Sequence, residues 1–296
     1  MEMVKQKLVV VLGMHRSGTS TITRGLKVMG VDLGDRMMVP VPGNNDKGFW
    51  EDVDLNKLNI DILLALGLDW QYLKPIDQAD LHFLRENGYF LQAVELLRQK
   101  VKNIPVFGFK DPRVSKLLPF WKEVFSHCQF DVSYVFALRN PLSVAQSLAK
   151  RNYFVNEHSY LLWLEHVMTS VVESTGAKRV IVDFDEMVQN PERELNRMAA
   201  HLDLAINQEQ LRDFKSEFLD QSLRHNVNQS NDLLEDKSCP SLVREIYFAL
   251  LDIASEKSKD DSPQFLKKLQ DWLKEFGDLK STMLLLDPFI AGHAAV

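Results

Sequence analysis

The sequence predicts an α/β fold: a P-loop-type parallel sheet flanked by helices, with a mostly helical C-terminal region. Three observations carry this reading. Four short apolar runs, rich in β-branched and aromatic residues, are separated by stretches with helical spacing. The first run leads straight into a turn containing Gly13 and Gly18, and then into a helical pattern. Asn-Pro or Ser-Pro pairs stand ahead of further helical stripes, where an N-cap and a first-turn proline belong.

The four strands are expected at Lys7–Leu12, Val106–Phe109, Val132–Leu138 and Arg179–Phe184. Helices between them imply crossovers and parallel pairing. A helix from Thr19 carries Ile22, Leu26 and Met29 at helical spacing, with Gly30 as its stop. Asn140-Pro141 opens a helix through Ser147 and Leu148. Asn190-Pro191 repeats the device ahead of Leu195, Met198 and Leu202. Ser262-Pro263 opens another helix, with Phe265, Leu269, Trp272 and Phe276 as its stripe and Gly277 as its end. Residues 37–45 read as an irregular loop, and the polar stretch 226–239 as a loop or lid. The apolar tail from Met283 is open to three readings: docking on the body, a subunit contact, or a cut from a longer chain. The chain length suits a single domain, 1–296, with a core over 1–205 and a helical C-terminal region over 206–296.

Composition is that of an ordinary globular protein, 45% apolar and 26% charged. The net charge of -6 argues against a surface that grips nucleic acid, so any anion site must concentrate its cations locally. Cys128 and Cys239 are far apart and form no metal-spaced pair, which suits a reducing compartment. The apolar run after Lys5 and Lys7 is too short for a signal peptide or a membrane span. The expected location is cytoplasmic, with no integral membrane segment. The oligomeric state is not legible.

Gly13-x4-Gly18-Thr19-Ser20 follows a strand and opens a helix, so its glycines permit tight geometry and its N–H groups point at an anion. A nucleoside-triphosphate loop carries a lysine where this chain has Thr19. Such proteins also use a strand-end carboxylate to hold Mg²⁺, whereas the third strand here runs into Arg139. Both departures disfavour ATP and favour a nucleotide bound without obligatory metal. A small-molecule or nucleotide kinase is the alternative enzyme, and a binding module with a degenerate nucleotide pocket is the non-enzymatic one.

At this point the residues resemble a family. "GMHRSGTS" resembles the 5′-phosphosulfate loop of sulfotransferases that use 3′-phosphoadenosine-5′-phosphosulfate (PAPS). "LRNPLSVAQS" resembles their 3′-phosphate motif, an arginine at a strand end with a serine eight residues on, here Arg139 and Ser147. "FKDPR" resembles the Lys-Asp-Pro segment of the tyrosylprotein and carbohydrate branches, where the lysine sits beside the sulfuryl group. The likeness runs in order from about Leu8 to Phe184. It implies PAPS as donor, adenosine 3′,5′-bisphosphate (PAP) as product and no required metal. It implies a donor site of His15, Arg16, Ser17, Gly18, Thr19, Ser20, Arg139 and Ser147. Helical spacing also puts Ser143 near Ser147; the family pattern selects Ser147. Cytosolic small-molecule members carry lysine at the position of Arg16. Their C-terminal Arg-x-x-Gly segment is not evident, and "SLRHN", with Arg224 and His225, is its candidate substitute.

Transfer also needs a cation at the sulfuryl group, which the resemblance assigns to Lys110, and charge stabilisation at the leaving phosphate, assigned to the loop and Arg16. A base must take the acceptor proton. "NDKGFWEDVD" packs four carboxylates around an aromatic pair, and family members draw a glutamate from this region. Glu51 is the candidate, with Asp52, Asp46 and His15 as alternatives. Asp111 is read as orienting Lys110 or Arg113. Trp70, Trp121 and Trp163 are read as core or pocket wall. The acceptor bears a hydroxyl. The branch resemblance points to carbohydrate, with a peptide tyrosine or a small metabolite left open.

Overall fold

The computed structural model describes residues 5–41, 45, 47–219 and 228–293. Strand β1 (Lys7–Leu12) runs through the phosphate-type loop into α1 (Thr19–Leu26), followed by a 3₁₀ turn that stops at Gly30. Helices α2 (Val53–Ala65), α3 (Gln78–Glu86) and α4 (Tyr89–Lys100) lead to β2 (Val106–Lys110). Next come α5 (Arg113–Lys116), α6 (Leu118–Cys128), β3 (Asp131–Leu138), α7 (Pro141–Asn152), α8 (Asn156–Glu173) and β4 (Lys178–Asp183). The remainder is helical: α9 (Phe184–Gln189), α10 (Pro191–Leu202), α11 (Gln208–Asp213) with a π turn to Phe218, α12 (Ser230–Glu235), α13 (Ser241–Ala254) and α14 (Pro263–His293).

The strands pair in parallel in the order β2-β1-β3-β4. They read as continuous apolar runs because both faces are covered. Leu8, Val10 and Leu12 join Phe107, Phe109, Phe136 and Leu138 in a core shared with α2, α6, α7 and α8. Val9 and Val11 join Val135, Ala137, Val180 and Val182 under α1 and α10 on the other side. With α1 on one face and α7 on the other, the sheet has its switch point between β1 and β3, where such sheets form a crevice at the strand carboxyl ends.

The four strands fall at the expected positions, each within a residue at either end. β2 extends to Lys110, and β4 ends at Asp183 because that side chain accepts from the Asp185 amide and caps α9. Asn140 caps α7 through the Leu142 amide, as expected. Asn190 stands ahead of α10, yet its side chain donates to Glu186 instead of capping.

Two expectations are corrected. Gly277 does not end the last helix, which continues to His293. Met283 is buried and Ile290 packs on the core beyond that glycine, and this packing outweighs the roughly 1 kcal/mol cost of an internal glycine. The tail docks on the body: Asp287 accepts from the amides of Leu73 and Lys74. The stretch 226–239 is not simply a loop, since Ser230–Glu235 within it form α12, with Leu233 buried and Asn228 bonded to Ser143 and Gln146 of α7. Among the described residues no helix is long and apolar enough to cross a membrane.

Candidate active site

All the sequence-derived site residues that the structure describes, apart from the alternative Asp52, gather at the carboxyl edge of the sheet. The loop after β1 is built by Gly13 (φ 143°), Arg16 (φ 69°) and Gly18 (φ 78°). Ser115 of α5 pins it: its hydroxyl accepts from the Gly13 amide at 2.8 Å. A Cβ on Gly18 would fall 1.9 Å from the Phe184 ring, so the loop lies directly against the residue that follows β4.

Arg139 follows β3 and stacks on that ring, its guanidinium 4.6 Å from the Phe184 centroid. Its Nη1 donates to the Arg16 carbonyl at 2.8 Å, while Arg16 Nε donates to Ser147 Oγ at 2.8 Å. The left-handed backbone at Arg16 is what presents its carbonyl to one residue and its side chain to the other. Loop, strand-end arginine and helix serine are thereby joined. Ser143 is engaged elsewhere, accepting from Asn228.

Lys110 projects from the end of β2 and donates to Glu51 Oε1 at 2.6 Å and to Ser20 Oγ at 3.3 Å. Ser20 in turn donates to the Phe49 carbonyl. Lys110 and Glu51 are both buried. Burial raises the Glu51 pKa above the ordinary glutamate value, the Lys110 charge opposes this, and the Asp111 charge adds to the rise. Asn56 of α2 donates to both Glu51 and Asp111. Asp111 also accepts from Asn59 and from the backbone and guanidinium of Arg113, so it orients Arg113 rather than Lys110. Trp121 is core and donates to Asn59, Trp163 is core, and Trp70 is wall. Asp52, the neighbouring alternative base, points away: it caps α2 and pairs with Lys100. Asp46, Arg224 and His225 lie outside the described residues.

His15, Arg16, Ser20, Glu51, Lys110 and Arg139 line a cleft of about 530 Å³, and Ser147 is tied to it through Arg16. Its described lining holds five cations (Arg16, Lys110, Arg113, Arg139 and Arg151) against one carboxylate, Glu51. On a chain of net charge -6 this is a local concentration suited to a polyanion. A larger hollow of about 770 Å³, between the 32–36 turn and α4, is different: Arg36, Lys57 and Lys100 there are neutralised by Asp54 and Asp61.

His15 packs against Trp70 with ring centroids 4.3 Å apart and planes tilted by 47°, and burial together with Arg113 and Arg151 lowers its pKa well below the usual histidine range. It is therefore neutral at physiological pH. Behind it, wholly buried, Glu165 lies 2.9 Å from His166 and 3.3 Å from Lys116. Sequence reasoning missed Arg151 and Asn56 as site residues. Arg151 stands one helical turn past Ser147, a spacing that marks the same face. Asn56 has no such signal, because its role depends on how α2 meets β2.

No family model matches the chain, and no curated protein matches it. Among solved structures it is similar to the sulfotransferase domain of the Synechococcus PCC 7002 olefin synthase (13% identity, 89% of this chain and 98% of that one, TM-score 0.46). It is similar to sulfotransferase STF1 of Mycobacterium tuberculosis H37Rv (12% identity, 83% and 77%, TM-score 0.45). A third likeness is to mouse sulfotransferase SULT7A1 complexed with PAP (13% identity, 92% and 90%, TM-score 0.39). At such identities and TM-scores the similarity assigns no activity to this chain.

Proposed function

We propose that this chain is a PAPS-dependent sulfotransferase that moves a sulfuryl group from PAPS to an acceptor hydroxyl and releases PAP. The observation that carries the reading is the link through Arg16. Arg16 of the glycine loop bonds both Arg139 and Ser147 beside one cationic cleft, with Thr19 where a triphosphate loop carries lysine. Two anion-binding ends on one cleft fit a nucleotide phosphorylated at both its 5′ and 3′ positions. In this reading residues 1–296 act as one sulfotransferase-like domain.

The loop from His15 to Ser20, with its N–H groups at the start of α1, holds the 5′-phosphosulfate. Arg139 offers a planar fork to the 3′-phosphate, with Ser147 beside it. PAPS supplies an activated sulfuryl group. Glu51 takes the proton from the acceptor hydroxyl as the new S–O bond forms. Lys110 neutralises charge at the sulfuryl oxygens, and Arg16 and the loop stabilise the leaving 5′-phosphate as the old S–O bond breaks. Glu51 and Lys110 already touch, so proton acceptor and cation are positioned together. A carbohydrate acceptor follows from the branch resemblance, by analogy.

The test is a thermal-shift comparison. PAP without Mg²⁺ should raise the melting temperature, by RT ln(1 + [L]/Kd) in free energy, and ATP–Mg should do little. The PAP shift should disappear in Arg139→Ala. The reverse ranking of ligands assigns the chain to the kinases, and an unchanged shift in Arg139→Ala removes the 3′-phosphate from this position.

A further inference from the structure

Two cations of the cleft's described lining, Arg113 and Arg151, serve neither end of the donor nor the transfer step. Arg16 and Arg139 belong with the loop and Ser147. Lys110 is paired with Glu51 at 2.6 Å, and Arg113 with Asp111 at 3.1 Å. Arg151, in the last turn of α7, has no carboxylate within ion-pair distance among the described residues. Its Nε donates to the neutral Asn152 side chain at 2.6 Å, and its guanidinium lies 5.4 Å from the Trp70 ring centroid. Its neighbouring charges are mostly of its own sign: burial, Arg16 and Arg113 push its pKa down to about 10, and Glu51 opposes them only weakly. At neutral pH it stays charged. A mostly buried guanidinium without a counter-charge is costly, and a cation–π contact offsets only part of that cost.

The placement says which ligand supplies the missing charge. Arg139, assigned to the donor, sits on Phe184 at the β4 side. Arg151 instead lies over Trp70, which also packs on His15, and it feels the charges of Arg113 and of Glu51, the proposed base, in the same cleft. That is the side at which an acceptor hydroxyl must arrive.

Resting on the sulfotransferase reading, we propose that Arg151 binds a negative group on the acceptor, so that the substrate class is an anionic hydroxyl compound, a sugar bearing a carboxylate, rather than a neutral one. Arg151 is then a specificity-determining residue. The guanidinium takes the carboxylate through paired N–H groups while a nearby hydroxyl meets Glu51.

The experiment uses 4-nitrophenyl β-D-glucuronide and 4-nitrophenyl β-D-glucoside as matched acceptors, with labelled PAPS and the full chain. Calorimetry gives the Kd of PAP, and thermal shift of the PAP complex gives acceptor binding. The wild type should favour the glucuronide by about 10- to 100-fold in kcat/KM, mostly through KM, the worth of a charge-assisted hydrogen bond. In Arg151→Gln that ratio should fall toward one, and Arg151→Lys should keep part of it. Equal losses with both acceptors, or a weakened PAP Kd in Arg151→Gln, would hand this residue to the donor and overturn the proposal. So would a PAP complex that no uronide stabilises. Failure of the wild type to bind PAP at all would be a separate result, overturning the sulfotransferase reading itself.

Discussion

At Glu51 three forces act on one carboxyl group. Burial and the Asp111 charge favour its neutral form, the Lys110 ammonium 2.6 Å away favours its ionised form, and the balance leaves its pKa raised. A base works only when ionised, so the rate must fall as pH drops through that pKa. The acid limb of kcat/KM should therefore lie above the ordinary glutamate value of about 4.3. Glu51→Gln should lower kcat by about 10² to 10⁴-fold and abolish that limb, with PAP affinity retained. A variant of wild-type activity would move the base elsewhere. The sequence favours Glu51 within a cluster of acids, through the family resemblance and its aromatic neighbours, but it does not show which carboxylate faces Lys110. Adjacent side chains diverge, and the left-handed backbone at Trp50 (φ 55°) decides the outcome: Glu51 faces Lys110, while Asp52 turns to cap α2.

Elements were more legible than side chains, because strands and helix starts are marked by short local patterns. Two buried faces make the four strands continuous apolar runs, and Asn140-Pro141 announces α7 through one capping bond. Gly277 misled because a stop signal is conditional: a glycine in an otherwise paid-up helix is carried through when apolar residues beyond it find a core. The loop glycines are unconditional by comparison. Gly18 has φ 78°, and an added Cβ would sit 1.9 Å from Phe184, a buried ring that is itself held under Arg139. Gly18→Ala therefore combines backbone strain with a clash that only movement of the loop relieves. It should destabilise the fold by more than about 1 kcal/mol in urea denaturation and remove the PAP-induced thermal shift. Wild-type PAP affinity in that variant would mean that the loop does not hold the nucleotide.

At the scale of the molecule, charge is segregated: a chain of net charge -6 keeps five cations in the described lining of one cleft and crowds carboxylates elsewhere. Composition states the total and cannot state this partition, which arises only when the ends of β1, β2 and β3 converge. One consequence lies at the end of β4. Asp183 is 9% exposed, and burial together with Asp185, Glu186 and Glu194 raises its pKa to about 7. Unfolding restores the ordinary aspartate value, so below about pH 4 the group is protonated in both states and costs nothing. As pH rises, the unfolded chain ionises first, and stability is lost progressively until the folded pKa is passed. The gap corresponds to a few kcal/mol at alkaline pH, on the order of 1.4 kcal/mol per pKa unit. Asparagine keeps the oxygen that accepts from the Asp185 amide and caps α9 comparably well, but it never ionises. Asp183→Asn should accordingly melt several degrees above the wild type at pH 8.5, with the difference vanishing near pH 4. An equal or lower melting temperature at pH 8.5 would show that Asp183 is ionised in the folded protein at little cost, and that the crowding of charge around β4 is relieved by solvent.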